Sequence, residues 1–170
     1  MIKDIHSFKI SLPFKEELIK EILEKRTIDP NGFNFNLNTR FRKELYLLFE
    51  EKCKSLFKEF ELIQQELLVW CSVSDKNFSS TNWHNHEKTA NINGVIYLKV
   101  RNNEKGIDFL DNGKVINYIP VENELLIFPS TLWHHPNVSD SDEQRISLNL
   151  ELLTKQSTKE VFNKTNINEF

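Results

Sequence analysis

No stretch of this chain is long and apolar enough to span a bilayer, which takes about 20 apolar residues in a helix. The opening segment MIKDIHSFKI carries an acid at Asp4 and has no apolar signal core, so export is not expected. Cysteine is scarce. Cys53 and Cys71 stand alone in apolar surroundings and read as buried, reduced thiols of a cytoplasmic protein. A CxxC pair is missing, which excludes a zinc knuckle. No run of Lys or Arg stands out and the net charge is -3, so neither a nucleic-acid nor a membrane surface is expected. Repeats, low-complexity tracts and signs of a second domain are also missing.

What remains is material for one core. The 170 residues suit a single domain, residues 1–170, and 39% of them are hydrophobic. Thirteen Phe and three Trp supply the bulk. The first part, residues 1–66, reads as helical support. Lys15 to Arg26 places Leu18, Ile19, Ile22 and Leu23 on one stripe, with Pro13 at its entry. Ile28 to Asn38 is Asn-rich, holds Pro30 and Gly32, and reads as a loop. A longer helix is expected from about Thr39, as N-cap, to Gln65, with Phe41, Leu45, Leu48, Phe49, Leu56, Phe57, Phe60 and Ile63 at helical spacing.

From residue 67 to 153 the pattern changes to short strands. LLVWCSV, GVIYLKV, IDFL, KVINYI, ELLIFP and RISLNLEL are each rich in β-forming residues and bounded by turn signals. Asp111-Asn112-Gly113 marks a hairpin. Closely spaced strands argue for a sandwich or barrel rather than βαβ units. Residues 154–170 read as a polar, peripheral tail.

Four of the five histidines fall in two clusters, His84 and His86 in WHNHE and His134 and His135 in FPSTLWHHPN. Residues i and i+2 of a strand point to one side, roughly 6.5–7 Å apart, so His84 and His86 could converge on one metal ion if a distant segment added a third ligand. Taken alone, an HxH pair is a weak signal, and more often marks histidines that bind nothing. Further on, Arg145, Ser147 and Asn149 share one face of a strand, while Ile146, Leu148 and Leu150 share the other. That pattern fits a solvated amphipathic strand. It also fits a barrel strand with a polar lumen, where Arg145 could grip a carboxylate with two parallel hydrogen bonds and Ser147 could add a third.

The segments WHNHEKTANINGVIYL, ELLIFPSTLWHHPN and RISLNLEL resemble the iron(II)- and 2-oxoglutarate-dependent oxygenases, and more narrowly a small bacterial and phage group of them. The likeness covers about Trp83 to Leu150 and leaves out the N-terminal helices. It implies a mostly β fold: a double-stranded β-helix, the jelly-roll or cupin-like barrel, with a supporting helical layer. It implies an Fe(II) site at His84, His86 and His134, with Arg145 and Ser147 holding the distal carboxylate of 2-oxoglutarate. Tyr97 stands at a family position that can reach the same carboxylate, and is equally a core aromatic. His135 is expected to face away.

The sequence departs from the family at one position. Most members use two histidines and one carboxylate. Here His86 stands where Asp or Glu is usual. His86 as a third neutral ligand is the preferred reading. The alternatives are His86 beside the metal with water in its place, or Glu87 as ligand through an irregular backbone. The implied reaction is decarboxylation of 2-oxoglutarate coupled, with dioxygen, to hydroxylation of a small-molecule or peptide substrate. Two rivals stand beside it. One is a cupin-type three-His dioxygenase or isomerase that uses no 2-oxoglutarate. It lacks the usual cupin glutamate after HxH and leaves Arg145 and Ser147 without a task. The other is a non-catalytic β-barrel binding module.

Overall fold

In a computed structural model, residues 4–25, 33–35, 37–63, 67–76, 82–138 and 140–163 are described. In chain order the elements are β1 (His6–Lys9), α1 (Lys15–Glu24), β2 (Phe33–Asn34), α2 (Arg42–Leu56), β3 (Leu68–Ser74), β4 (Ile92–Lys99), β5 (Ile107–Asp111), β6 (Lys114–Tyr118), β7 (Glu124–Pro129), β8 (Trp133–Pro136), β9 (Arg145–Leu152) and α3 (Thr158–Asn163). Six strands form one antiparallel sheet in the order β1-β7-β4-β9-β3-β2, and three form another, β6-β5-β8. The fold is a double-stranded β-helix.

Strand alternation sorts the large sheet into two faces. Val69, Cys71, Val73, Ile92, Ile96, Leu98, Leu125, Ile127, Ile146, Leu148, Leu150 and Leu152 point outward and are buried under Leu18 and Ile22 of α1, Leu45, Phe49 and Cys53 of α2, and Val161 and Phe162 of α3. Burying each large apolar side chain contributes about 1.5–3 kcal/mol, so this layer carries much of the stability. Helix α2 sits close on the sheet because Gly94 has no side chain. A Cβ there would lie 2.5 Å from Phe49 Cε2. The inner face meets the small sheet through Val95, Tyr97, Leu126 and Phe128 against Ile107 and Phe109. The β5–β6 hairpin turns on Asn112 and Gly113, both at positive φ (48° and 76°), the geometry of a type I′ turn.

Several expectations need correction. The second helix ends at Leu56, not near Gln65, which lies outside the described residues. Phe41, not Thr39, precedes the helix, and makes no side-chain cap. The Thr39 hydroxyl instead accepts the Phe41 N–H at 3.2 Å and donates to Glu21 at 3.1 Å, bracing one helix against the other. Within the stretch read as a loop, Phe33 and Asn34 pair with Ser72 and Cys71 as an edge strand, while residues 28–32 lie outside the described residues. The tail is not wholly peripheral. Helix α3 buries Val161, and its Phe162 packs on Phe57 with ring centroids 4.8 Å apart. Both cysteines are free and buried, and burial pushes both thiols up, Cys71 to about 11. Among the described residues no helix is long and apolar enough to cross a membrane.

Candidate metal centre

His84 and His134 are locked face to face by backbone. Each donates its N–H to the other's carbonyl, at 3.1 and 2.9 Å, making an isolated antiparallel bridge. The regular strand expected for WHNH does not form. A bend at Trp83 leads into the isolated bridge at His84, His86 N–H then reaches the Ser130 carbonyl at 2.8 Å, and a turn follows. That hydrogen bond still holds His86 beside the other two. Ring centroids are 4.5 Å apart for His84–His134, 5.3 Å for His84–His86 and 5.2 Å for His86–His134.

One ring nitrogen of each lies within 4.8 Å of the others. The other nitrogen of each ring is already engaged. Nδ1 of His84 meets the Asn82 carbonyl and Nδ1 of His134 the Leu132 carbonyl, both at 2.9 Å. Nδ1 of His86 meets Glu151 Oε1 at 3.2 Å. Nε2 is therefore the free nitrogen on all three rings. Metal–imidazole bonds are about 2.0–2.1 Å, so small ring rotations would seat one ion. His84 and His134 are also suited to bind as neutral bases. Burial lowers the pKa of His84, aided by His86 and His135 and opposed by the Asn82 carbonyl. Burial, with the neighbouring imidazoles, lowers that of His134 to about 3. The donor set fits a borderline transition metal such as iron(II).

Glu87 is exposed on the turn, outside this cluster. His135 faces away, as alternation requires. Its ring packs edge-on against Trp83 at 4.6 Å, and Nε2 lies 3.7 Å from Asp108.

Arg145, Ser147 and Tyr97 line one narrow cavity together with His84 and His134. Ser147 and Tyr97 are register partners on β9 and β4. Burial pushes the Tyr97 hydroxyl well above its usual range despite the nearby Arg145, so it stays protonated. Arg145 is only 4% exposed. Its Nη1 donates to Glu104 Oε1 at 2.9 Å and to the Gly106 carbonyl at 3.3 Å. The Glu104 side chain is itself only 3% exposed. Sequence reading missed this carboxylate.

The Asn-rich stretch Ile28 to Asn38, which by position could line the mouth, supplies part of it. Phe33, Phe35 and Trp70 stand beside His84 and His86 around a small, mainly apolar cleft, with the Phe35 and Trp70 rings 5.1 Å apart. Two larger clefts of about 660 Å³ lie elsewhere, one along Glu17, Glu21 and Arg40, the other along Phe8, Leu56 and Tyr118. Among the described residues, neither brings three metal-ligating side chains close together.

No protein-family model and no curated sequence matches the chain. Solved structures match its fold. A prolyl-4-hydroxylase from Pseudomonas putida aligns over 90% of this chain and 94% of its own, with TM-score 0.61 and 12% identity. HygX from Streptomyces hygroscopicus, solved with nickel and 2-oxoglutarate bound, aligns over 89% and 83%, with TM-score 0.68 and 8% identity. SnoK, a non-haem α-ketoglutarate-dependent carbocyclase of nogalamycin biosynthesis, aligns over 88% and 79%, with TM-score 0.63 and 9% identity. At these identities the shared property is the double-stranded β-helix itself.

Proposed function

We propose that this chain is an iron(II)- and 2-oxoglutarate-dependent oxygenase that hydroxylates a small-molecule or peptide substrate. The observation that carries this reading is a single arrangement. Three imidazoles offer nitrogens within 4.8 Å of one another, and Arg145, Ser147 and Tyr97 line the cavity that two of those imidazoles close. The fold is shared with proteins described as prolyl-4-hydroxylase, as binding nickel and 2-oxoglutarate, and as α-ketoglutarate-dependent carbocyclase.

In this reading His84, His86 and His134 hold the metal through Nε2. Bound iron(II) would supply the redox chemistry by which dioxygen converts 2-oxoglutarate to succinate and carbon dioxide and the substrate gains a hydroxyl. The chain's own residues do the rest. Arg145 offers a guanidinium to the distal carboxylate, and the Ser147 and Tyr97 hydroxyls donate beside it. Phe33, Phe35 and Trp70 shield the metal's approach from water. The free cavity volume of about 40 Å³ holds only a few waters. A five-carbon diacid therefore enters only as lining side chains yield, and Glu104 must share Arg145 with it or release it.

The three-His donor set also favours a second reading, a cupin-type dioxygenase or isomerase that needs no 2-oxoglutarate. One assay separates the two. Protein supplied with iron(II), 2-oxoglutarate and air should form succinate, and Arg145→Ala should form far less. Succinate formation unchanged in Arg145→Ala would remove the cosubstrate assignment. Metal binding without any succinate would favour the cupin reading.

A further inference from the structure

The three imidazoles are not held alike. His84 and His134 each give Nδ1–H to a backbone carbonyl two residues earlier, a neutral partner. His86 gives Nδ1–H to a carboxylate, Glu151 Oε1, at 3.2 Å. The same oxygen accepts the Trp70 indole N–H at 2.8 Å. Glu151 is 5% exposed and lies on the inner face of β9, the face that also carries Arg145 and Ser147. A buried carboxylate is expensive to keep ionised unless it is paired and hydrogen-bonded. Here its ion-pair partner is one of the three clustered imidazoles.

This arrangement answers the departure noted in the sequence. A site with two imidazoles and one carboxylate brings a negative charge to its metal. Three imidazoles bring none. We propose that Glu151 restores that charge from one imidazole away. It is a positioning residue that fixes His86 with Nε2 toward the metal and makes that ring a stronger base, while Trp70 clamps the carboxylate in place. Hydrogen-bonded partners of ligating histidines orient the ring and raise ligand basicity in this way, and their loss commonly weakens metal binding about 10–100-fold. The inference rests on the metal site of the proposed function, but not on 2-oxoglutarate.

The test uses nickel(II) as the probe and the full chain. Affinity is measured by calorimetry for wild type, Glu151→Gln and Glu151→Ala, and the His86 ring tautomer is read from nitrogen NMR of the metal-free protein. Gln keeps an oxygen that can accept both hydrogen bonds but loses the charge, whereas Ala loses both. The expected result is nickel affinity lowered about 10-fold by Gln and about 100-fold by Ala. The Nδ1–H tautomer should dominate in wild type and Gln, and mix in Ala. On a His86→Gln background, Glu151→Gln should have no further effect, since the coupling runs through that ring. Wild-type affinity in both Glu151 variants, or equal losses with and without His86, overturns the inference while leaving the metal site standing. Failure of wild type to bind nickel overturns the site, and this inference with it. If Glu151→Ala does not fold, the Gln variant and its His86 cycle still decide.

Discussion

The large sheet has two faces made from alternate residues of the same strands. Along β9, Ile146, Leu148, Leu150 and Leu152 face the helices, while Arg145, Ser147, Asn149 and Glu151 face the lumen. The outer set is apolar and packs at close range. The inner set places Arg145, Ser147 and Glu151, with Ser72, Ser74 and Glu124 from neighbouring strands, below a tenth exposed. Polar burial lowers stability unless each group is satisfied. One face is built to hold the fold together, and the other gives up stability to hold chemistry. Substitutions on the two faces should therefore fail in different assays.

The largest expected effect is on the inner side. His84→Ala should weaken nickel(II) or iron(II) binding at least 100-fold by calorimetry, with a melting temperature within a few degrees of wild type, because His84 is only half-buried. Loss of a ligand to an open site is a binding defect, not a packing defect. The outer face should show the converse. Leu148→Ala leaves a cavity under α2 and should lower stability by about 2–5 kcal/mol in denaturant titrations. Metal affinity of the folded protein should change less than twofold. A single variant that broke both properties equally would blur the division of labour between faces.

Next in size is the cosubstrate end. Arg145→Ala should raise the 2-oxoglutarate KM about 10–100-fold, the scale of a lost charged hydrogen-bond pair. Glu104→Gln should do the opposite and more weakly, lowering that KM a few-fold, because the guanidinium no longer has an internal anion to release. The last effect concerns pH and reads stability rather than binding. The His134 imidazole takes a proton near pH 6.5 when unfolded but only near pH 3 when folded and buried. The unfolded state binds more protons in that window. Stability of the metal-free protein is therefore full above about pH 6.5 and falls as pH drops toward 3. Thermal melts from pH 7.5 to 4.5 should show this slope, and His134→Gln should flatten it.

Much of this was readable in the sequence because period-2 patterning acts locally. Arg145–Leu152 forms a strand over the residues its alternation marks, and Glu124–Pro129 over the short apolar run ELLIFP. The grouping of His84, His86 and His134 was legible through the family resemblance, which picks His134 over His135; the HxH pair alone left it open. The strand assumed for His84 and His86 was not correct, since His84 sits in an isolated bridge and His86 is held by the Ser130 carbonyl. Short pieces such as β1, β2 and β8 exist only through their partners, and four residues or fewer carry too little pattern to read. The Phe162 contact of α3 and the ion pairs of Glu151 with His86 and of Glu104 with Arg145 join residues remote in the chain. Such contacts arise from tertiary closure and leave no spacing signal. That is why both buried carboxylates appear only once the barrel is closed.

The central claim is that three imidazoles and one guanidinium serve a single metal and diacid. Anaerobic addition of iron(II) and then 2-oxoglutarate, followed by visible absorption, tests it most directly. A weak charge-transfer band that needs both additions, and that disappears in His134→Ala, is the expected result. A spectrum with iron(II) that stays unchanged on saturating 2-oxoglutarate would contradict it.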